Sequence, residues 1–137
     1  MTVHLVKLCV GVQSVEDLER WRAARRAAGE TVADHVTRMT PKRRDDVLDR
    51  GSLYWVISGH VQARQRILDL EETRDAEGRT ACRIVMAPDL IRTELLPKRP
   101  FQGWRYLDPA EAPRDIDRRT AGLPPELAMK LKDCLAW

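Results

Sequence analysis

The chain has 137 residues and a mass of 15.7 kDa, with 43% hydrophobic and 33% charged residues and a formal net charge of +3. That length suits a single domain, residues 1–137, with a core of its own, and the composition excludes wholesale disorder. Cys9, Cys82 and Cys134 are widely spaced, with no CxxC pair and no nearby His, which argues against a disulfide framework or a zinc site and for reduced thiols in a cytoplasmic protein.

Val3 to Val10 is apolar on both sides of the alternation, as in a strand covered on both faces. His4 and Lys7 interrupt it, so this opening is expected to be neither a signal peptide nor a membrane span. Ser14 with Asp17 three residues on starts a helix that closes at Gly29, with Trp21 expected to pack inward beside Leu18. Thr40 and Pro41 predict a second helix, ending at Arg50 and Gly51. Its first turn carries Lys42, Arg43 and Arg44, which oppose the helix dipole and are partly offset by Asp45 and Asp46.

Leu53 to Ile57 and Val61 to Leu70 read as strands joined tightly through Ser58 and Gly59. Along the second, Val61, Ala63 and Ile67 share one face, and Gln62, Arg64 and Arg66 share the other. Those donors repeat at roughly 7 Å, close to the phosphate interval of an extended single strand. Residues 71–79 form a polar hairpin loop, and Thr80 to Met86 returns as a strand. Pro88, Pro97 and Pro100 predict turns around Leu90 to Leu95. Trp104 to Leu107 is a last short strand, and Pro125 opens a terminal helix with Leu127, Leu131 and Leu135 on one face. The pattern is that of an α+β domain, a small, mixed and mostly antiparallel β-barrel or strongly bent sheet with flanking helices.

Five aromatic residues fall in two Arg-rich runs, GSLYWVISGHVQARQR (51–66) and PKRPFQGWRYL (97–107). Residues 38–66 hold seven Lys and Arg against three Asp, and residues 92–106 hold four against one Glu, leaving the remainder acidic. If the two segments meet, they form a basic face with aromatic surfaces, suited to stacking a base and holding its phosphate. Tyr54 and Trp55 are neighbours on a strand, so one is expected in the core and the other outward. Trp104 and Tyr106 fall together with Arg105 opposite, and Phe101 is expected to plug the loop. His35, followed by Thr37, Arg38 and Thr40, reads either as part of a polar cluster with Lys42 or, more readily, as a structural group.

The strings HVTRMTPKRRDDVLDRGSLYWVISGHVQARQRI and RPFQGWRYL resemble a family of small bacterial proteins of unknown function, a resemblance that begins at HLVKLCVG. In layout the chain is also similar to PUA-like barrels, particularly EVE and ASCH domains. Lys7 on the opening strand followed by Ser14, Val15, Glu16, Asp17 and Leu18 echoes the EVE start, and VQARQ and the Pro-Asp-Leu segment are similar too. This second resemblance implies a PUA-like fold that binds RNA or modified bases in a pocket with an aromatic wall. The ASCH signature of Gly, Lys and Glu is absent, which tells against nuclease or base-hydrolase activity.

The expectation is a non-catalytic binder of RNA or another single-stranded nucleic acid, or of a modified nucleotide. Arg38, Lys42, Arg43, Arg64, Arg66 and Arg105 would engage phosphates, His60 would add a hydrogen bond, and Trp55 or Trp104 would stack a base. No metal, cofactor or membrane is expected. Two alternatives stay open, a module docking an acidic protein partner and an enzyme acting on a nucleotide-like anion, for which no nucleophile or acid-base pair stands out.

Overall fold

A computed structural model describes residues 2–99 and 101–116; the terminal helix expected from Pro125 lies outside the described residues. The elements in chain order are β1 (His4–Leu8), α1 (Val15–Ala27), β2 (Ala33–Thr37), α2 (Arg44–Leu48), β3 (Ser52–Ile57), β4 (His60–Arg74), β5 (Thr80–Met86), β6 (Ile91–Pro97) and β7 (Trp104–Leu107). The fold is α+β: seven strands form one mixed sheet in the order β2-β5-β4-β3-β1-β7, with β6 also paired to β4. The sheet is open, because the outer strands β2 and β7 do not pair, so it is not closed into a barrel.

The hairpin of β3 and β4 is the spine of the sheet. Ser58 and Gly59, with φ of 51° and 82°, supply the two left-handed residues that match a two-residue turn to the strands' twist. Beyond it, β4 runs to Arg74 rather than Leu70, so the polar loop shortens to residues 75–79. β4 pairs with β5 through its second half and with β6 through its first, both antiparallel. The segment expected to be turns around Leu90 to Leu95 is therefore largely the strand β6; Pro88 only interrupts the edge between β5 and β6. Ala87 keeps continuity there by donating its N–H to the Arg66 carbonyl at 2.9 Å.

β1 lies parallel to β3 and antiparallel to β7. Between β1 and β3 the chain makes α1, where Ser14 Oγ accepts the Asp17 N–H at 3.2 Å as the sequence predicts. β2, which the sequence pattern did not signal, then returns to the far edge of the sheet beside β5. The second helix is shorter than expected: only Arg44–Leu48 is helical, and Arg43 at its start makes no side-chain cap. Tertiary bonds hold the preceding residues out of a helix. The Met39 carbonyl accepts the indole N–H of Trp104 at 2.7 Å, and the Arg43 N–H donates to Tyr106 Oη at 3.1 Å. These bonds also bring the segment after β2 against β7, bending the open sheet toward itself.

Apolar residues fill both faces of the sheet. On the inner face Leu5, Leu53, Trp55, Ile57, Ala63, Ile84 and Met86 pack with Val15 and Leu18 of α1. On the outer face a smaller cluster joins Val6, Tyr54, Val56, Val61 and Leu107, with Phe101 packed against it as the expected plug. Covering both faces explains why Tyr54 and Trp55 are both buried, whereas one was expected to look outward.

Candidate functional site

The β1 register decides where the two aromatic runs meet. Lys7 is the Cα partner of Trp55 on β3 and of Trp104 on β7, so the three residues form a row across adjacent strands on the inner face. The runs thus converge, but with β1 and a lysine between them. Trp55 is only 2% exposed, its indole N–H donating at 3.0 Å to Oε1 of the fully buried Gln65, whose Nε2 donates in turn to the Ala87 carbonyl at 3.0 Å. Trp104 is half-buried and stacks edge-on against Tyr106 at 4.8 Å, as the alternation of β7 predicts.

Beside this row, between α1 and the sheet, lies a cavity of about 380 Å³ lined by residues that include Trp55, Trp21, Arg22, His35, Asp34 and Cys9. That size falls within the range of small-molecule sites. Trp21 was expected in the core; it is 45% exposed instead, with the guanidinium groups of Arg22 and Arg25 at 4.5 and 4.9 Å from its ring. Arg22 takes the interior place. It is 7% exposed, its Nε has no hydrogen-bond partner, and it forms no ion pair among the described residues. The two acids of the lining are engaged elsewhere: Asp34 pairs with Arg83 at 2.8 Å, and Asp17 pairs with Arg20.

Burial shapes the ionisation of the whole group. It lowers the pKa of Arg22 and of Lys7, and it raises that of the Cys9 thiol despite the nearby Arg22 and Lys7 charges. Cys9 is therefore a thiol rather than a reactive thiolate. His35, packed edge-on to Trp55 at 5.6 Å rather than in a cluster with Lys42, is pushed down to about 4, first by burial and then by Lys7 and Arg22. A histidine whose folded pKa lies below its unfolded value contributes stability at neutral pH that is lost as pH falls from about 6.5 through about 4. Allowing for its partial solvent screening, the expected loss is about 1–2 kcal/mol. Urea unfolding of the wild type and His35→Gln at pH 7 and pH 4 checks it: the variant should lose less stability between the two.

The other residues singled out in the sequence divide between two faces. Arg38 and Lys42 are exposed on the segment that Trp104 holds, and they make no ion pair among the described residues. Arg43 lies there too but is paired with Asp46 at 3.0 Å. The donor row on β4 is largely spent. Gln62 donates to the Ile57 carbonyl at 2.6 Å, and Arg64 is held by both oxygens of Asp115 at 2.7 Å and by Ser52 Oγ at 2.9 Å, leaving Arg66 exposed. Arg105 stacks over Phe101 at 5.4 Å on the outer face, and His60 contacts the Ser58 carbonyl at 3.3 Å in the turn. Arg64, Arg66 and Arg105 therefore do not join Trp55 and Trp104 in one cleft. Sequence reasoning missed Arg22 and Trp21 as lining residues and Lys7 as the centre of the row; only the EVE-like opening pointed at Lys7.

No helix among the described residues is long and apolar enough to cross a membrane. Residues 5–136 match the family described as "Protein of unknown function (DUF1489)", and the chain belongs to that family. No curated protein matches the chain. No solved structure does either.

Proposed function

We propose that this family member binds nucleic acid, RNA or a modified nucleotide, without catalysing a reaction, by admitting one base to the cavity between α1 and the sheet. The observation that carries this reading is the Trp55–Lys7–Trp104 row, an aromatic and cationic floor running beside an aromatic-lined cavity. Trp21 offers an exposed ring at the cavity, and Trp55 closes it from within; base–aromatic stacking is worth about 1–3 kcal/mol per base. Arg38 and Lys42, without an ion pair among the described residues and on the segment bonded to Trp104, would take flanking phosphates. The bent mixed sheet with its flanking helix supports a PUA-like reading of the fold as part of this proposal, although the sheet is open.

The cationic surface is smaller than composition suggests, because Arg43, Arg44, Arg64 and Arg92 are held by carboxylates. Two or three phosphate contacts are then expected, which for a single strand gives roughly a tenfold loss of affinity between 50 and 200 mM salt. Fluorescence anisotropy with a labelled single-stranded RNA measures this directly. Arg38→Ala and Lys42→Ala should each reduce the salt slope by about 0.7. Binding that is absent or indifferent to salt rejects the proposal, and capture of an acidic protein that survives nuclease treatment would put the docking-module reading in its place.

A further inference from the structure

We infer that the cavity under α1 is a receptor for a compact oxyanion, a phosphomonoester or a carboxylate, carried on the planar group that enters it. This deepens the nucleotide reading and rests on it for the planar part only. Three observations point the same way. Arg22 lines the cavity nine-tenths buried, with Nε unpartnered and no carboxylate on its guanidinium among the described residues. The Trp21 ring beside the guanidinium is no counter-ion, desolvated charge without one is unfavourable, and an arginine's Nε–Nη edge presents two parallel donors matched to the two oxygens of a carboxylate or phosphate. Lys7 adds a second positive charge that acts on Cys9 and His35 of the lining, and burial weakens its protonated form too.

Asp34 and Glu30 reach Arg22 only through space, because each is ion-paired to another arginine. Asp34 is spent on Arg83, which is itself shared with Glu71 at 2.5 Å, and Asp17 is spent on Arg20. His35 is uncharged at neutral pH, so it is free to donate to or accept from a ligand without adding charge. An anion arriving here meets the buried Arg22, the positive field of the part-buried Lys7 beside the cavity, a neutral imidazole and an indole wall. A neutral base alone would leave the Arg22 donor edge unpaired.

The probes are uridine, uridine 5′-monophosphate, orotate, inorganic phosphate, and one RNA oligonucleotide with either a 5′-hydroxyl or a 5′-phosphate. Titration of tryptophan fluorescence should show the monophosphate, orotate or both binding at least about tenfold more tightly than uridine, a difference of about 1.4 kcal/mol. Arg22→Met, which removes a buried donor without stranding a partner, should reduce that preference to within twofold. Lys7→Met should reduce it as well, and decides the matter if the Arg22 variant does not fold. Orotate and the monophosphate separate a ring carboxylate from a phosphate as the source of the charge.

Equal binding of uridine and both anionic probes to the wild type overturns the inference, as does a preference that persists in both variants. If the two oligonucleotides bind equally and no small anion is preferred, this inference fails while the nucleic-acid reading stands. If the small anions bind through Arg22 and no oligonucleotide binds, the nucleic-acid reading fails and the oxyanion receptor stands.

Discussion

Gly51→Ala is expected to destabilise the protein by about 3 kcal/mol or more, the largest effect of a methyl group added at any of the described glycines. Gly51 is buried where α2 hands the chain to β3. Its N–H donates to the Val47 carbonyl at 2.9 Å, and its own carbonyl accepts the Ile67 N–H at 3.0 Å. A Cβ there would stand 2.1 Å from the Val47 oxygen and 2.6 Å from the Val3 oxygen. Both obstacles are backbone, so no side-chain rotation relieves the overlap. Relief requires moving β1 or unwinding the end of α2, and β1 carries Lys7 between the two indoles. Gly59→Ala is the matched comparison: its φ of 82° is strained for Ala, but nothing lies within 4 Å of the added carbon, so about 1–2 kcal/mol is expected. Denaturant midpoints of the two variants check the ranking, and a Gly51→Ala loss no larger than that of Gly59→Ala would show that the junction yields.

What the sequence disclosed and what it hid follow from how far each element depends on its neighbours. The Ser14 cap and the Ser58–Gly59 turn are local devices, set by a side-chain oxygen or a left-handed residue within a few positions, and both stand where the pattern puts them. The α2 region obeys no such local rule. Thr40 and Pro41 are a sound helix start, yet bonds from Trp104 and Tyr106, more than sixty residues away, hold that segment in another conformation. β2 and β6 were hidden for a related reason: each is an edge strand whose partner, β5 or β4, supplies what its own short sequence lacks.

The candidate site divides in the same manner. Period-two alternation correctly placed Trp104 with Tyr106 and Arg105 opposite, but it says nothing about which face is covered. Arg64 looked like a free donor because Asp115, its partner, is fifty-one residues distant. Trp21 and Arg22 are adjacent on α1, and hydrophobicity alone favours burying the tryptophan. The helix is rotated to bury the arginine against the Trp21 ring, with no carboxylate on it among the described residues, which local propensity cannot anticipate.

Gln65→Leu should cost about 2–4 kcal/mol, although it replaces a polar side chain with an apolar one of similar length in a dry interior. Gln65 is fully buried and bridges the indole N–H of Trp55 and the Ala87 carbonyl. Removing the amide strands one buried donor and one buried acceptor, each costing about 1–3 kcal/mol, and the better packing of Leu recovers only part. Trp55→Phe removes the donor from the other side, so in the double variant the stranded indole no longer exists. A double-mutant cycle should therefore show a coupling of about 1–2 kcal/mol. The same bond fixes the indole as the inner wall of the cavity, so Gln65→Leu should also weaken ligand binding in whatever fraction remains folded, while the salt slope set by Arg38 and Lys42 stays unchanged. Stability within about 0.5 kcal/mol of the wild type would mean that Trp55 finds another acceptor, and the wall would then be held by packing alone.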